Sequence, residues 1–205
     1  MTQLIKVFDW RREKNWEEKL ALLTDKQILS EGKRPLAFPS SDRFSLCKTN
    51  NLVICTPLSS PEEWVRVLKQ AAPENVYLLF KESKSWQAVC FLSEILGMLK
   101  AKEQQGSCFF VLERMAVSLN VSLHLLRTGL DYLSSSGFLY YQKQSSYWQF
   151  TLLTAEKSRE DLYLKKKLYR LLMEREAFLR YQLQARLSSL QKAINSWYQR
   201  KNMLK

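Results

Sequence analysis

The sequence predicts a mixed fold, α/β plus α: a small parallel α/β layer, a winged-helix-like domain, and a long C-terminal helix or helix pair. Three observations predict it. Over the first 82 residues, short continuous apolar runs alternate with helix-like segments, the pattern of strands buried on both faces and joined by helices. Three helical segments and then two strand-like runs fill residues 83–152, the order of a winged helix-turn-helix. From Phe138 to Lys205 there is neither glycine nor proline, while leucines recur at helical spacing. The predicted domains are therefore 1–82, 83–152 and a basic amphipathic segment at 153–205.

Each element has a local reason. Leu4-Ile5-Lys6-Val7-Phe8 alternates as a strand does and ends at Asp9-Trp10-Arg11-Arg12. Asn15, with Glu18 three residues on, predicts a short helix through about Leu23. Ile28-Leu29 is compatible with a short strand, and Gly32, Pro35 and Pro39 mark loops. Leu52-Val53-Ile54-Cys55-Thr56 and Val76-Tyr77-Leu78-Leu79-Phe80 are compact buried strands. Between them, Ser60-Pro61-Glu62-Glu63 opens a helix: the serine caps, the proline suits the first helical position, and Glu63 completes a capping box. Trp64, Val65, Leu68 and Ala72 form its apolar stripe before Pro73.

From Ser85 to about Lys102 the spacing predicts a helix with Val89, Leu92, Leu96 and Leu99 on one face. Helices are then expected over residues 109–119 and 122–135, and strands at 137–141 and 147–152 around the polar turn 142–146. The C-terminal stripe runs from Leu164 to Trp197 as one helix, or as two with a break near Ser188-Ser189. Cys55 and Cys90 lie in apolar runs, where thiols behave as small buried hydrophobes, and all four cysteines read as structural. With a single histidine and no Cys-x-x-Cys pair, no metal site or cofactor is expected.

The charge is uneven. Residues 156–205 hold 13 Lys/Arg against 5 Asp/Glu, so +8 of the net +12 lies there. A field of that kind steers polyanions or acidic peptides; a solvated helix face without a partner is the plainer reading of the same charge. Plotted at 100° per residue, Arg159, Tyr163, Lys166, Arg170, Arg180 and Tyr181 fall broadly together, opposite the leucines. Cations there can neutralise phosphates and rings can stack on bases, although Tyr163 and Tyr181 suit packing at the stripe's edge equally well. Arg175 lies inside the stripe and is expected to pair with an acidic residue.

Ser122, His124, Arg127, Thr128 and Asp131 lie on the second helix of the winged-helix-like stretch. One arginine offset by an aspartate is a poor set for reading base edges in duplex DNA, and a packing or protein-docking role fits better. His124 reads as a surface residue. On the hairpin, Lys143, Tyr147 and Trp148 are placed to touch a nucleic-acid backbone, but Tyr147 and Trp148 point to opposite faces, so at least one belongs to the core. No phosphate-loop, dinucleotide or nucleophile-elbow motif is present, and the aspartates are scattered, so no catalysis is expected. No apolar run approaches the ~20 residues of a membrane span, and a cytoplasmic protein is expected.

Four stretches resemble the C-terminal region of the bacterial RecJ family of single-strand-specific DNA exonucleases. They are Val7-Phe8-Asp9-Trp10-Arg11-Arg12, Leu58-Ser59-Ser60-Pro61-Glu62-Glu63-Trp64, Pro73-Glu74-Asn75-Val76-Tyr77-Leu78-Leu79-Phe80, and Leu168-Tyr169-Arg170 with Glu174-Arg175-Glu176-Ala177-Phe178 and Leu187-Ser188-Ser189-Leu190. The resemblance implies a non-catalytic accessory module in DNA repair and recombination. Its partners would be single-stranded DNA, or the acidic, apolar-ended tail of single-stranded-DNA-binding protein, together with a separate catalytic RecJ-like chain. The family's Asp-His-His nuclease motif is absent from this sequence. A winged-helix transcription regulator is the alternative.

Overall fold

The computed structural model describes residues 4–32, 38–80, 84–154 and 161–199. The chain divides into two compact units, Met1–Lys84 with Ala177–Lys205, and Ser85–Glu176. The C-terminal segment is therefore shared between the units and does not form one of its own.

The first unit is a four-stranded parallel sheet built from β1 (Lys6–Asp9), β2 (Lys26–Leu29), β3 (Asn51–Ile54) and β4 (Asn75–Leu78), in the order β1-β4-β3-β2. Two helices join the strands, α1 (Trp16–Leu22) and α2 (Pro61–Ala71). Alternation along the apolar strands fills both faces. Leu52, Ile54, Val76 and Leu78 pack with Trp64, Val67 and Leu68 of α2, whereas Val53 and Tyr77 pack with Leu20 of α1. Ser60 caps α2 as its sequence predicts, its hydroxyl accepting from the Glu63 amide at 3.3 Å. The carboxylate of Glu63 departs from the expected capping box. It turns inward to Arg43, 3.1 Å away, and Arg43 also forms a bidentate pair with Glu31. All three are buried, pinning the loop after β2 against α2. Asn15 makes no side-chain cap on α1.

The second unit holds α3 (Ala88–Gln104), β5 (Phe109–Phe110), α4 (Leu112–Leu119), α5 (Leu123–Ser135), β6 (Leu139–Gln144) and β7 (Tyr147–Leu152). Its antiparallel sheet has the order β5-β7-β6. Phe109 and Phe110, expected to begin a helix, instead pair with Gln149 and Trp148 of β7. Strand geometry sends Phe110 into the core and Phe109 outward, which no helical start would do. The face that α3 buries is shifted from expectation: Leu99 is buried as expected and Leu92 and Leu96 pack partly against the core, but Ala88, Phe91 and Ile95 are buried and Val89 is 70% exposed. The reason lies in α5. A Cβ on Gly129 would meet Phe91 at 2.9 Å and Ile95 at 3.0 Å, so the glycine admits those two side chains and fixes which face of α3 docks. Cys90 follows Val89 onto the exposed side, contrary to its apolar setting.

The last helices are α6 (Leu162–Gln184) and α7 (Leu187–Gln199), so the break falls just before Ser188. Leu168 and Leu172 of α6 enter the core of the second unit. Leu190, Ile194 and Trp197 of α7 lie on the parallel sheet beside α2, where Trp64 and Trp197 meet with ring centroids 5.6 Å apart.

Polar side chains fasten these helices to the first unit. Gln182 is fully buried; its amide donates to the Leu58 carbonyl at 2.7 Å and accepts from the Leu58 amide at 3.2 Å and the Trp64 indole at 2.9 Å. Arg11 donates to the carbonyls of Gln182, Leu183 and Ala185 at the end of α6, held in place by Asp9 at 2.6 and 2.8 Å. Along the outer edge of β1, Asn195 and Gln191 accept from the Ile5 and Val7 amides, each at 2.9 Å, and both donate to the Ile5 carbonyl.

Gln182→Ala leaves three buried polar groups unpaired, and its expected cost is about 2–4 kcal/mol, read as a lower urea midpoint; an unchanged midpoint contradicts the assignment. The Arg11 guanidinium holds the Asp9 carboxyl below its usual value of 3.8. A carboxylate depressed in the folded state adds stability above its unfolded pKa and loses it as pH falls through the folded one. Asp9→Asn should flatten the pH dependence of stability below about pH 4, measured as urea midpoints across an acid series.

Candidate functional site

Asp161 starts α6 by accepting from the Tyr163 and Leu164 amides, both at 3.0 Å. That start sets the helix phase. Leu168, Leu172 and Arg175 turn inward, and Tyr163, Lys166 and Arg170 stand exposed on the other side. Tyr163 is 72% exposed. Tyr169 and Met173 join the exposed side, where neither charge nor the leucine period singles them out in the sequence. Arg170 has an acidic neighbour one turn on, Glu174 at 3.6 Å, but an exposed pair of this kind contributes little and leaves the guanidinium accessible to a ligand.

The remaining sequence candidates divide. Arg159 lies outside the described residues. Arg180 is exposed and lies on the part of α6 that belongs to the first unit. Tyr181 is a packing residue: its ring stacks on Phe178 at 6.3 Å and its hydroxyl donates to the Ser189 carbonyl at 3.4 Å. Arg175 is buried, and its guanidinium donates to the Asn120 carbonyl at 3.0 and 3.1 Å. That carbonyl closes α4 in a left-handed cap, where the negative end of a helix welcomes a cation.

On α5, Ser122 caps the helix, Thr128 is buried against the His124 carbonyl, and Asp131 accepts from the Tyr141 hydroxyl. Burial and that bond push the Tyr141 hydroxyl well above its ordinary pKa. Arg127 lies over the Trp148 ring, 5.9 Å from its centroid. Only His124 and Arg127 of the five remain for a ligand, too few for a base-reading helix. Lys143 is exposed and pairs across the hairpin with Trp148, on the same side as Tyr141. Trp148 packs against the core and Tyr147 is outward, as strand alternation requires.

A groove of about 480 Å³ lies along β5 in the second unit. Met98, Phe109, Val111 and Met115 give it an apolar wall, and Lys102 and Arg114 place cations on it. Tyr147 closes the hairpin end, its ring edge-on to Phe109 at 4.8 Å. The sequence hides this groove because it is assembled from α3, β5, α4 and β7, and Phe109 becomes a strand residue only by pairing with β7.

Among the described residues no helix is long and apolar enough to cross a membrane, and no group of three or more His, Cys, Asp or Glu is placed to hold a metal ion. No family model matches the chain, and neither a curated protein nor a solved structure matches it.

Proposed function

We propose that this chain is a non-catalytic accessory module of a RecJ-like DNA repair and recombination exonuclease, and that it retains single-stranded DNA for a separate catalytic chain. In this reading the second unit is a winged-helix-like domain in which α5 occupies the recognition-helix position without reading duplex DNA, and the protein works in the cytoplasm. The observation that carries the proposal is the exposed face of α6, where Tyr163, Lys166 and Arg170 stand together as a phosphate-tracking surface with a ring to stack on. Several residues of the RecJ-like stretches are structural: Arg11, held by Asp9, donates to the carbonyls that end α6, and Trp64 donates to Gln182.

A second reading, docking of the acidic and apolar-ended tail of single-stranded-DNA-binding protein, is favoured by the groove, where apolar walls carry Lys102 and Arg114.

Anisotropy of a labelled single-stranded oligonucleotide tests the first. Affinity should fall steeply with salt, and Lys166→Glu with Arg170→Glu should weaken binding at low salt about tenfold or more and reduce the salt slope by about 1.4. Unchanged affinity removes α6 as the DNA surface, with Arg180→Glu tested separately in the other unit. For the tail, Lys102→Glu with Arg114→Glu should weaken an acidic peptide ending in phenylalanine by roughly tenfold; equal binding removes the groove as its site.

A further inference from the structure

The antiparallel sheet of the second unit has two unlike faces. Phe110, Leu139 and Phe150 point into the core. Cross-strand pairing places Phe109 opposite Gln149, Gln149 opposite Gln142, Gln144 opposite Tyr147 and Tyr140 opposite Thr151, all on the other face. Phe109 and Tyr147 are each 40% exposed and Tyr140 is 54% exposed.

This face carries no charge in a chain of which a quarter is charged. A face built only for solvation would mix in Lys and Glu. Instead, rings at two ends bracket a row of carboxamides. Tyr140 lies four residues along β6 from the partner of Tyr147, so the two ends are about 14 Å apart. Cations stand at the rim, where Phe109 and Tyr147 lead into the groove that holds Lys102 and Arg114.

The ligand that matches has flat π-faces, edges that both donate and accept, and anionic charge at its side. We infer that this sheet face binds the unpaired bases of a single-stranded nucleic acid. Phe109, Tyr147 and Tyr140 stack on bases, the amides of Gln142 and Gln149 meet base edges, and Lys102 and Arg114 take flanking phosphates. A long acidic peptide would find no cation across the face, and an apolar partner would strip water from the glutamine amides without replacing it. The inference rests on the reading of the module as a single-strand binder, and adds to the phosphate surface of α6 a second site that recognises bases.

The test compares two labelled oligomers of equal length on the full chain, one of deoxythymidine and one abasic, so that both present phosphates and only one presents bases. Wild type should prefer the thymidine oligomer, and the preference should persist at moderate salt. Phe109→Ala with Tyr147→Ala, and independently Tyr140→Ala, should each reduce thymidine affinity roughly tenfold while leaving the abasic oligomer unchanged. These side chains are outward, and circular dichroism verifies that the variants fold. Equal binding of the two oligomers by wild type overturns the inference, and so does a preference that survives all three substitutions. Loss of an acidic peptide, with thymidine binding intact, gives the face to a protein partner and overturns it as well. If the α6 charge reversals leave both oligomers unaffected while the aromatic variants lose thymidine, the phosphate reading of α6 fails and the base-binding face stands.

Discussion

Gln182 satisfies three polar groups where water cannot reach, and the first unit depends on bonds of that kind. A parallel sheet has backbone donors and acceptors at its edges and in the loops that leave its strands, and burying them unpaired costs about 1–3 kcal/mol each. Here Gln182 serves the loop after β3, Arg11 serves the carbonyl end of α6, and Gln191 and Asn195, one turn apart on α7, line the outer edge of β1. The apolar stripe of α7 supplies the burial, but these amides set its register along the strand. They also cover an edge that would otherwise be open to pairing with another chain.

The same principle sorts the basic residues. Arg11, Arg43 and Arg175 face carbonyls or carboxylates of their own unit. Lys166, Arg170, Lys102 and Arg114 instead line surfaces or the groove of the second unit. The number of arginines and lysines therefore overstates the cations available to a partner, and the distinction between internal and outward cations matters more than their count. The uncharged sheet face gains its meaning from the same contrast.

Much of the architecture was legible because local signals and burial agreed. The short runs at β3 and β4 read as strands buried on both sides, and Ser60-Pro61 followed by the Trp64 stripe read as a helix start. Legibility failed where a contact distant in sequence decided the outcome. Phe109-Phe110 is too short an apolar run to declare itself a strand and becomes one because β7 offers an edge. The buried face of α3 was chosen by a glycine more than thirty residues away, and Glu63 left its capping role for an arginine in a loop of unreadable pattern. For the candidate site, exposure of Tyr163, Lys166 and Arg170 followed from helical period alone. Tyr181 stayed open between packing and binding because it sits at the stripe's edge, where period cannot separate a packed ring from a free one. The groove and the sheet face needed the three-dimensional assembly to be seen.

The edge of β1 is sealed by residues 184 and 190 positions further along the chain. Everything in the second unit is made between them. On a ribosome, the first strand of the parallel sheet is synthesised long before its edge partner exists, whereas the second unit ends at Glu176, ahead of α7. Such distant closure is slow, because a large loop must be ordered before its contacts repay it. The molecule should therefore mature from its middle outward, with the inserted unit folded while the flanking one waits for the last helix to complete it.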